Sequence, residues 1–161
     1  VISAVDLING IGVSMGMKSI KVPGMTGYID TNYEGKAAAT LKALEKNDFV
    51  YLHVEAADEM GHNGDAKGKV LAVEKFDALI AGPVFEGLKK SGVPFRLMVT
   101  SDHATPIEAR THTDEAVPFF IYDSQNEKEN NISGLSEAAI SKESPLMFEK
   151  GWELFPYFLG R

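Results

Sequence analysis

The chain has 161 residues, 44% of them hydrophobic and 24% charged, enough for a domain with a real core. Its net charge of −7 and pI of about 5.1, without any basic run, argue against nucleic acid or an anionic membrane as partner. With no cysteine, disulfides and thiolate metal sites are excluded, so any metal must be held by oxygen and nitrogen. No apolar run approaches the roughly 20 residues of a membrane span and no signal peptide is visible. The opening Val1-Ile2-Ser3-Ala4 lacks Met, so a piece of a longer protein is expected.

In chain order, Val5, Leu7, Ile8, Ile11 and Met15 have near-helical spacing and predict a helix over 5–15, weakened by Gly10 and Gly12. A short strand is expected over 18–22, closed by Pro23-Gly24, and then a turn-rich stretch over 24–35. Residues 36–46 read as a helix with Ala37, Ala38, Leu41 and Leu44 on one side. The apolar run 49–54 reads as a buried strand, leaving Asp58 and His62 in the loop after it. Asp65 caps a helical stretch reaching about 90, spaced by Val70, Val73, Ile80, Val84 and Leu88, with a kink expected at Gly82-Pro83.

A second strand over 95–100 delivers Ser101-Asp102-His103, and a polar loop carries Thr111-His112-Thr113 to a third strand over 117–122. A solvated connector over 123–131 precedes closing helices over 136–142 and 146–155, the latter anchored by Phe148, Trp152 and Phe155. Strands alternating with helical crossovers indicate an α/β fold with a mostly parallel sheet and helices on both faces. Such sheets bind ligands beyond the carboxyl ends of their strands, where the candidate residues lie.

Imidazole and carboxylate are the groups that hold zinc, manganese and similar ions. Asp58 with His62, Asp102 with His103, and His112 therefore form a candidate hydrolytic or phosphoryl-transfer metal site. His53 lies inside a strand and reads as a core residue or a support for a ligand. Ser101 lacks a nucleophile elbow and reads as a serine bonding backbone at a strand end. Glu55, Glu59 and Asp65 read as solvated or supporting carboxylates, and Gly10-x-Gly12 is no nucleotide fingerprint. Arg96 reads as a surface salt-bridge partner. Arg110, two residues before His112, is the better candidate for a phosphate contact.

The series Glu55-Ala56-Ala57-Asp58-Glu59-Met60-Gly61-His62-Asn63-Gly64-Asp65, then Thr100-Ser101-Asp102-His103 and Thr111-His112-Thr113 with Val117-Pro118, resembles the alkaline phosphatase superfamily. Within it the chain is similar to the cofactor-independent phosphoglycerate mutases of archaeal type. The opening residues and Pro23-Gly24-Met25-Thr26-Gly27-Tyr28-Ile29-Asp30-Thr31-Asn32-Tyr33 point to that branch. The resemblance implies two divalent ions (Mn, Mg or Zn), the first on Asp58, His62 and His112, the second on Asp102 and His103. It further implies a cytoplasmic glycolytic enzyme that interconverts 3-phosphoglycerate and 2-phosphoglycerate through a phosphoserine.

The family's serine nucleophile, its N-terminal aspartate and its inserted substrate-binding domain have no match here. Residues 1–161 are thus expected to be the C-terminal part of the catalytic domain, inactive alone and prone to self-association through an uncovered apolar surface. Alternatives are another phosphoryl-transfer member of the superfamily, either a phosphatase or a homoserine kinase-like enzyme, and a non-catalytic metal-binding module.

Overall fold

The structure, a computed structural model, describes residues 1–129, 131–134, 136–144 and 146–160. Asn130, within the expected connector, lies outside them. The chain divides into two compact units, one formed by Val1–Gly92 with Thr105–Thr113, the other by Val93–Ala104 with Asp114–Arg161.

The first unit is helical. Helix α1, Asp6–Ser14, matches expectation in place but not in orientation. Leu7, Ile11, Val13 and Met15 are exposed, while Asn9 and Gly12 are the buried positions. Polar bonds hold this helix: Asn9 Nδ2 donates to the carbonyls of Ser3 (2.8 Å) and Val5 (2.9 Å), and Asn9 Oδ1 accepts from Ser19 (2.8 Å). Gly12 is needed for close approach, since a Cβ there would lie 2.7 Å from Val1 Cγ1.

Residues 18–22 form no strand, although Ile20 N–H donates to the Val1 carbonyl at 2.9 Å. Helix α2, Tyr33–Leu44, starts three residues before the expected position because Asn32 caps it, its side chain accepting from Gly35 N–H at 2.8 Å. Its buried face is Tyr33, Lys36, Ala37, Thr40 and Ala43, so a lysine sits at the centre of the packed side. The expected strand over 49–54 is reduced to one parallel bridge, Leu52 to Ile2, framed by Ile2 N–H to Tyr51 O and His53 N–H to Ile2 O, both 2.9 Å.

Helices α3 (Ala56–His62) and α4 (Ala66–Phe76) follow, with Asp65 capping α4 through Gly68 N–H at 2.9 Å. The expected break near Gly82-Pro83 is a π-helical turn, Asp77–Ala81, leading into α5, Gly82–Ser91. Pro83 then falls in the first turn of α5, where its missing N–H is tolerated. Ala72, Ile80 and Val84 are buried along this stretch, whereas Val70 and Val73 are exposed. Helix α2 packs on the π-helical turn and on α5.

The second unit holds strands β1, Arg96–Thr100, and β2, Phe119–Asp123. They pair antiparallel, from Arg96 opposite Asp123 to Thr100 opposite Phe119. The expected mostly parallel sheet is therefore seen only as the Ile2–Leu52 bridge among the described residues. A parallel neighbour needs a crossover, usually a helix, and no helix lies between β1 and β2. Arg96 Nε donates to Asp123 Oδ2 at 2.7 Å, and its Nη1 to the Phe158 carbonyl at 3.0 Å.

Helix α6, Glu137–Glu143, starts at a Ser136 cap as the sequence indicates. The expected helix over 146–155 is instead a short 3₁₀ turn, Gly151–Glu153, and α7, Leu154–Phe158. Gly151 is a poor helix former, and Pro156 cannot supply the N–H that a longer helix would need there. Phe148 does pack, with ring centroids 5.7 Å from Phe119 and 5.3 Å from Tyr157, but Trp152 is 73% exposed and anchors nothing in the core. No described helix is long and apolar enough to cross a membrane.

Candidate metal centre

Asp58 and His62 lie on α3, not in a loop. Residues four apart share one face of a helix, so Asp-x-x-x-His presents both side chains together. Asp58 and Glu59 occupy the first turn and His62 the last, as the helix dipole favours. Gly61 faces the returning chain: a Cβ there would lie 2.5 Å from the Thr105 carbonyl oxygen. That closeness brings residues 105–113 alongside α3 and delivers His112.

Four donor atoms of three residues converge. His62 Nε2 is 3.3 Å from Asp58 Oδ2, His112 Nε2 is 3.4 Å from Asp58 Oδ1, and the two Nε2 atoms are 3.1 Å apart. Donor atoms bonded to one ion at about 2.0–2.2 Å stand about 3.0–3.5 Å apart, so the set fits a divalent metal. Next to His112 in sequence, the buried Thr113 hydroxyl has no hydrogen-bond partner among the described residues.

The supports are specific. His62 Nδ1–H donates to the Arg110 carbonyl at 3.0 Å, so that in the neutral ring Nε2 is the electron-pair donor. Thr105 Oγ1 donates to Asp58 Oδ1 at 2.5 Å, and the Thr105 carbonyl accepts from Lys69 Nζ at 2.6 Å. Thr105 is buried. Carboxylate oxygens of Glu55, Asp58 and Glu59 lie within 4.8 Å of one another, so the site carries concentrated negative charge suited to a cation.

Asp102 and His103 belong to the second unit, just beyond β1. His103 Nε2 is 3.4 Å from Asp102 Oδ2, and the His103 backbone N–H donates to Asp102 Oδ1 at 3.1 Å. Both side chains are partly solvated, at 31% and 51% exposure. Ser101, also exposed, contributes its carbonyl to Thr100 Oγ1 at 3.0 Å.

His53 is spoken for by structure. The Ser3 hydroxyl accepts from Val5 N–H at 3.0 Å, and its own proton can reach His53 Nδ1 at 3.1 Å. The His53 carbonyl accepts from Lys36 Nζ at 3.4 Å. Burial pushes the Lys36 ammonium down to about 8, opposed by the Glu55 charge. Sequence reasoning missed Thr105, Lys69 and Lys36. Thr105 and Lys69 contribute through contacts that no local motif encodes, and Lys36 lies in the expected helix at a position whose burial its residue type does not signal.

The profile of the Metalloenzyme superfamily matches residues 1–150. The chain is 48% identical over 161 residues to a probable 2,3-bisphosphoglycerate-independent phosphoglycerate mutase of Geobacter sulfurreducens, covering all of this chain and 40% of that protein. It is 54% identical over 121 residues to the 2,3-bisphosphoglycerate-independent phosphoglycerate mutase of Methanothrix thermoacetophila, covering 75% and 31% respectively. The solved PH0037 protein from Pyrococcus horikoshii superimposes with a TM-score of 0.79 at 27% identity, over 89% of this chain and 42% of that one. The chain thus spans about 40% or less of the curated relatives' length.

Proposed function

The chain belongs to the Metalloenzyme superfamily, and on that footing we propose that it is the C-terminal, metal-holding part of a cofactor-independent phosphoglycerate mutase. The whole enzyme would interconvert 3-phosphoglycerate and 2-phosphoglycerate in the cytoplasm. The observation that carries the reading is the convergence of His62 Nε2, His112 Nε2 and the Asp58 carboxylate within 3.1–3.4 Å. These three residues would hold one divalent ion, and Asp102 with His103 would contribute to a second. Manganese is the first candidate for both. The parallel bridge at Leu52 and Ile2 would be the remnant of a larger parallel sheet in the longer protein.

Bound divalent ions would supply charge compensation for a phosphoryl group in transfer. The reaction would use a serine outside these 161 residues. Its hydroxyl would lose its proton and its oxygen bond to phosphorus as the bond to the glycerate 3-oxygen breaks, and the 3-oxygen would take up a proton. After glycerate turns, its 2-hydroxyl would lose its proton and bond to phosphorus as the serine–phosphorus bond breaks, and the serine oxygen would take up a proton. Within this chain, Thr105 holds Asp58 and the Arg110 carbonyl holds His62 in place for that chemistry. Glu55 and Glu59 add negative charge around the ion. The Arg110 guanidinium is the candidate phosphate contact.

The test uses the intact parent protein with 3-phosphoglycerate and manganese and without 2,3-bisphosphoglycerate. Formation of 2-phosphoglycerate is the expected result. Release of inorganic phosphate alone would replace the mutase by a phosphatase on the same ligands, and neither product would leave a kinase-like enzyme or a non-catalytic metal-binding module. The isolated chain should be inactive and should self-associate through exposed Leu7, Ile11 and Met15, which gel filtration would reveal.

A further inference from the structure

Arg110 is the only described non-glycine residue with positive φ, at 53°. A non-glycine side chain there is strained, and such strain persists where surrounding contacts enforce it. Two contacts do so. Arg110 N–H donates to the Pro106 carbonyl at 2.9 Å, closing a turn. Its guanidinium lies over Gly64, itself at φ 69°, so tightly that a Cβ on Gly64 would lie 2.6 Å from Arg110 Nε.

The turn aims the Arg110 carbonyl at His62 Nδ1, 3.0 Å away. A carbonyl can only accept, so the proton is on Nδ1. In the neutral ring the lone pair is then on Nε2, the nitrogen that faces Asp58 and His112. A histidine that ligates through one nitrogen needs its other nitrogen fixed in this way.

We infer that Arg110 is a positioning residue whose backbone carbonyl, held in the left-handed conformation by the Arg110–Gly64 contact, sets the tautomer and aim of His62. This role belongs to the carbonyl and is separate from any contact its guanidinium makes with substrate. It rests on the reading of Asp58, His62 and His112 as ligands of one ion.

The test starts with nitrogen-resolved NMR of His62 in the metal-free chain at about pH 8, above ordinary imidazole titration. The expected species is protonated at Nδ1. Manganese affinity and thermal unfolding are then measured for four variants. Arg110→Gly, which tolerates positive φ and keeps the carbonyl but gives up the Gly64 contact, should keep the Nδ1–H signature and bind more tightly than the branched variant that follows. Arg110→Val, whose branched side chain resists that backbone, should lose the Nδ1–H signature and weaken binding about 10–100-fold. Gly64→Ala should weaken binding in the same direction, and adding Arg110→Gly to it should restore part of the loss because the clash is gone.

An Nε2–H tautomer in the parent chain overturns the inference, as does Arg110→Val binding as tightly as the parent. If Arg110→Val does not fold, the parent tautomer and the Gly64→Ala pair decide. A parent chain with the Nδ1–H tautomer that takes up no manganese would instead defeat the ligand reading while leaving the tautomer assignment standing.

Discussion

Asp58 with His62 and Asp102 with His103 use the same residue types, yet the two units support them to different degrees. In the first unit, Asp58 and His62 sit on a helix, and Thr105 and the Arg110 carbonyl fix an oxygen of one and a nitrogen of the other. In the second, Asp102 is half-exposed beyond a two-stranded sheet, and its described bonds run to the backbone and ring of its neighbour His103. Residue type and the support given to it are therefore separable. The first group is set by contacts distant in sequence, whereas Asp102 of the second is tied to its own neighbour.

The largest expected effect tests the prepared group directly. Asp58→Ala removes the carboxylate that both imidazoles approach, and manganese affinity at that site should fall at least about 100-fold, read by titration calorimetry and by metal analysis after gel filtration. Unchanged ion content would show that preparation in the first unit serves something other than metal.

Next in size is a pH effect. Lys36 is buried in the first unit, and its pKa is lowered from 10.5 to about 8, first by burial. Between those values the unfolded chain keeps a proton that the folded chain sheds, so stability rises with pH across the window. Relative to Lys36→Met, the parent should gain about 3 kcal/mol between pH 7.5 and 10.5 in urea unfolding. A flat difference would mean that Lys36 stays charged through its contact with the His53 carbonyl and the field of Glu55.

Thr105→Val comes third. The isostere keeps the packing and deletes the bond to Asp58 Oδ1, so manganese affinity should drop about tenfold with little change in melting temperature. A large loss of stability with unchanged affinity would reassign Thr105 from orienting the carboxylate to holding the fold.

Much of the candidate site was legible in the sequence because its proposed ligands are side chains with recognisable spacing. Asp58 and His62 are four apart, and that interval suits a helix better than the loop first expected. Their supports were not legible. Arg110 acts through a carbonyl, which every residue has, and its left-handed backbone is not a property that arginine announces. Thr105 reaches Asp58 across 47 residues. In the fold, helix α1 was readable in position from its apolar spacing, but that spacing faces outward because Asn9 supplies the inward contacts. The run 49–54 has strand composition, yet composition fixes neither the number nor the direction of its neighbours.

The smallest effect falls on the second unit. Asp102 is 51% exposed, and its approach to His103 Nε2 is 3.4 Å, so the pair resembles a surface contact worth well under about 1 kcal/mol. Its other bond, to the His103 backbone N–H at 3.1 Å, is also within reach of water as a replacement acceptor. Asp102→Ala should therefore shift unfolding stability by no more than about 0.5 kcal/mol without metal. Repeating the melt with saturating manganese separates two origins of that small number. If Asp102 helps hold an ion, the parent gains stability from manganese that the variant lacks, in proportion to the logarithm of free metal over Kd. If parent and variant respond alike, the second pair is a strand-end contact, and the contrast between the units is one of function as well as of support.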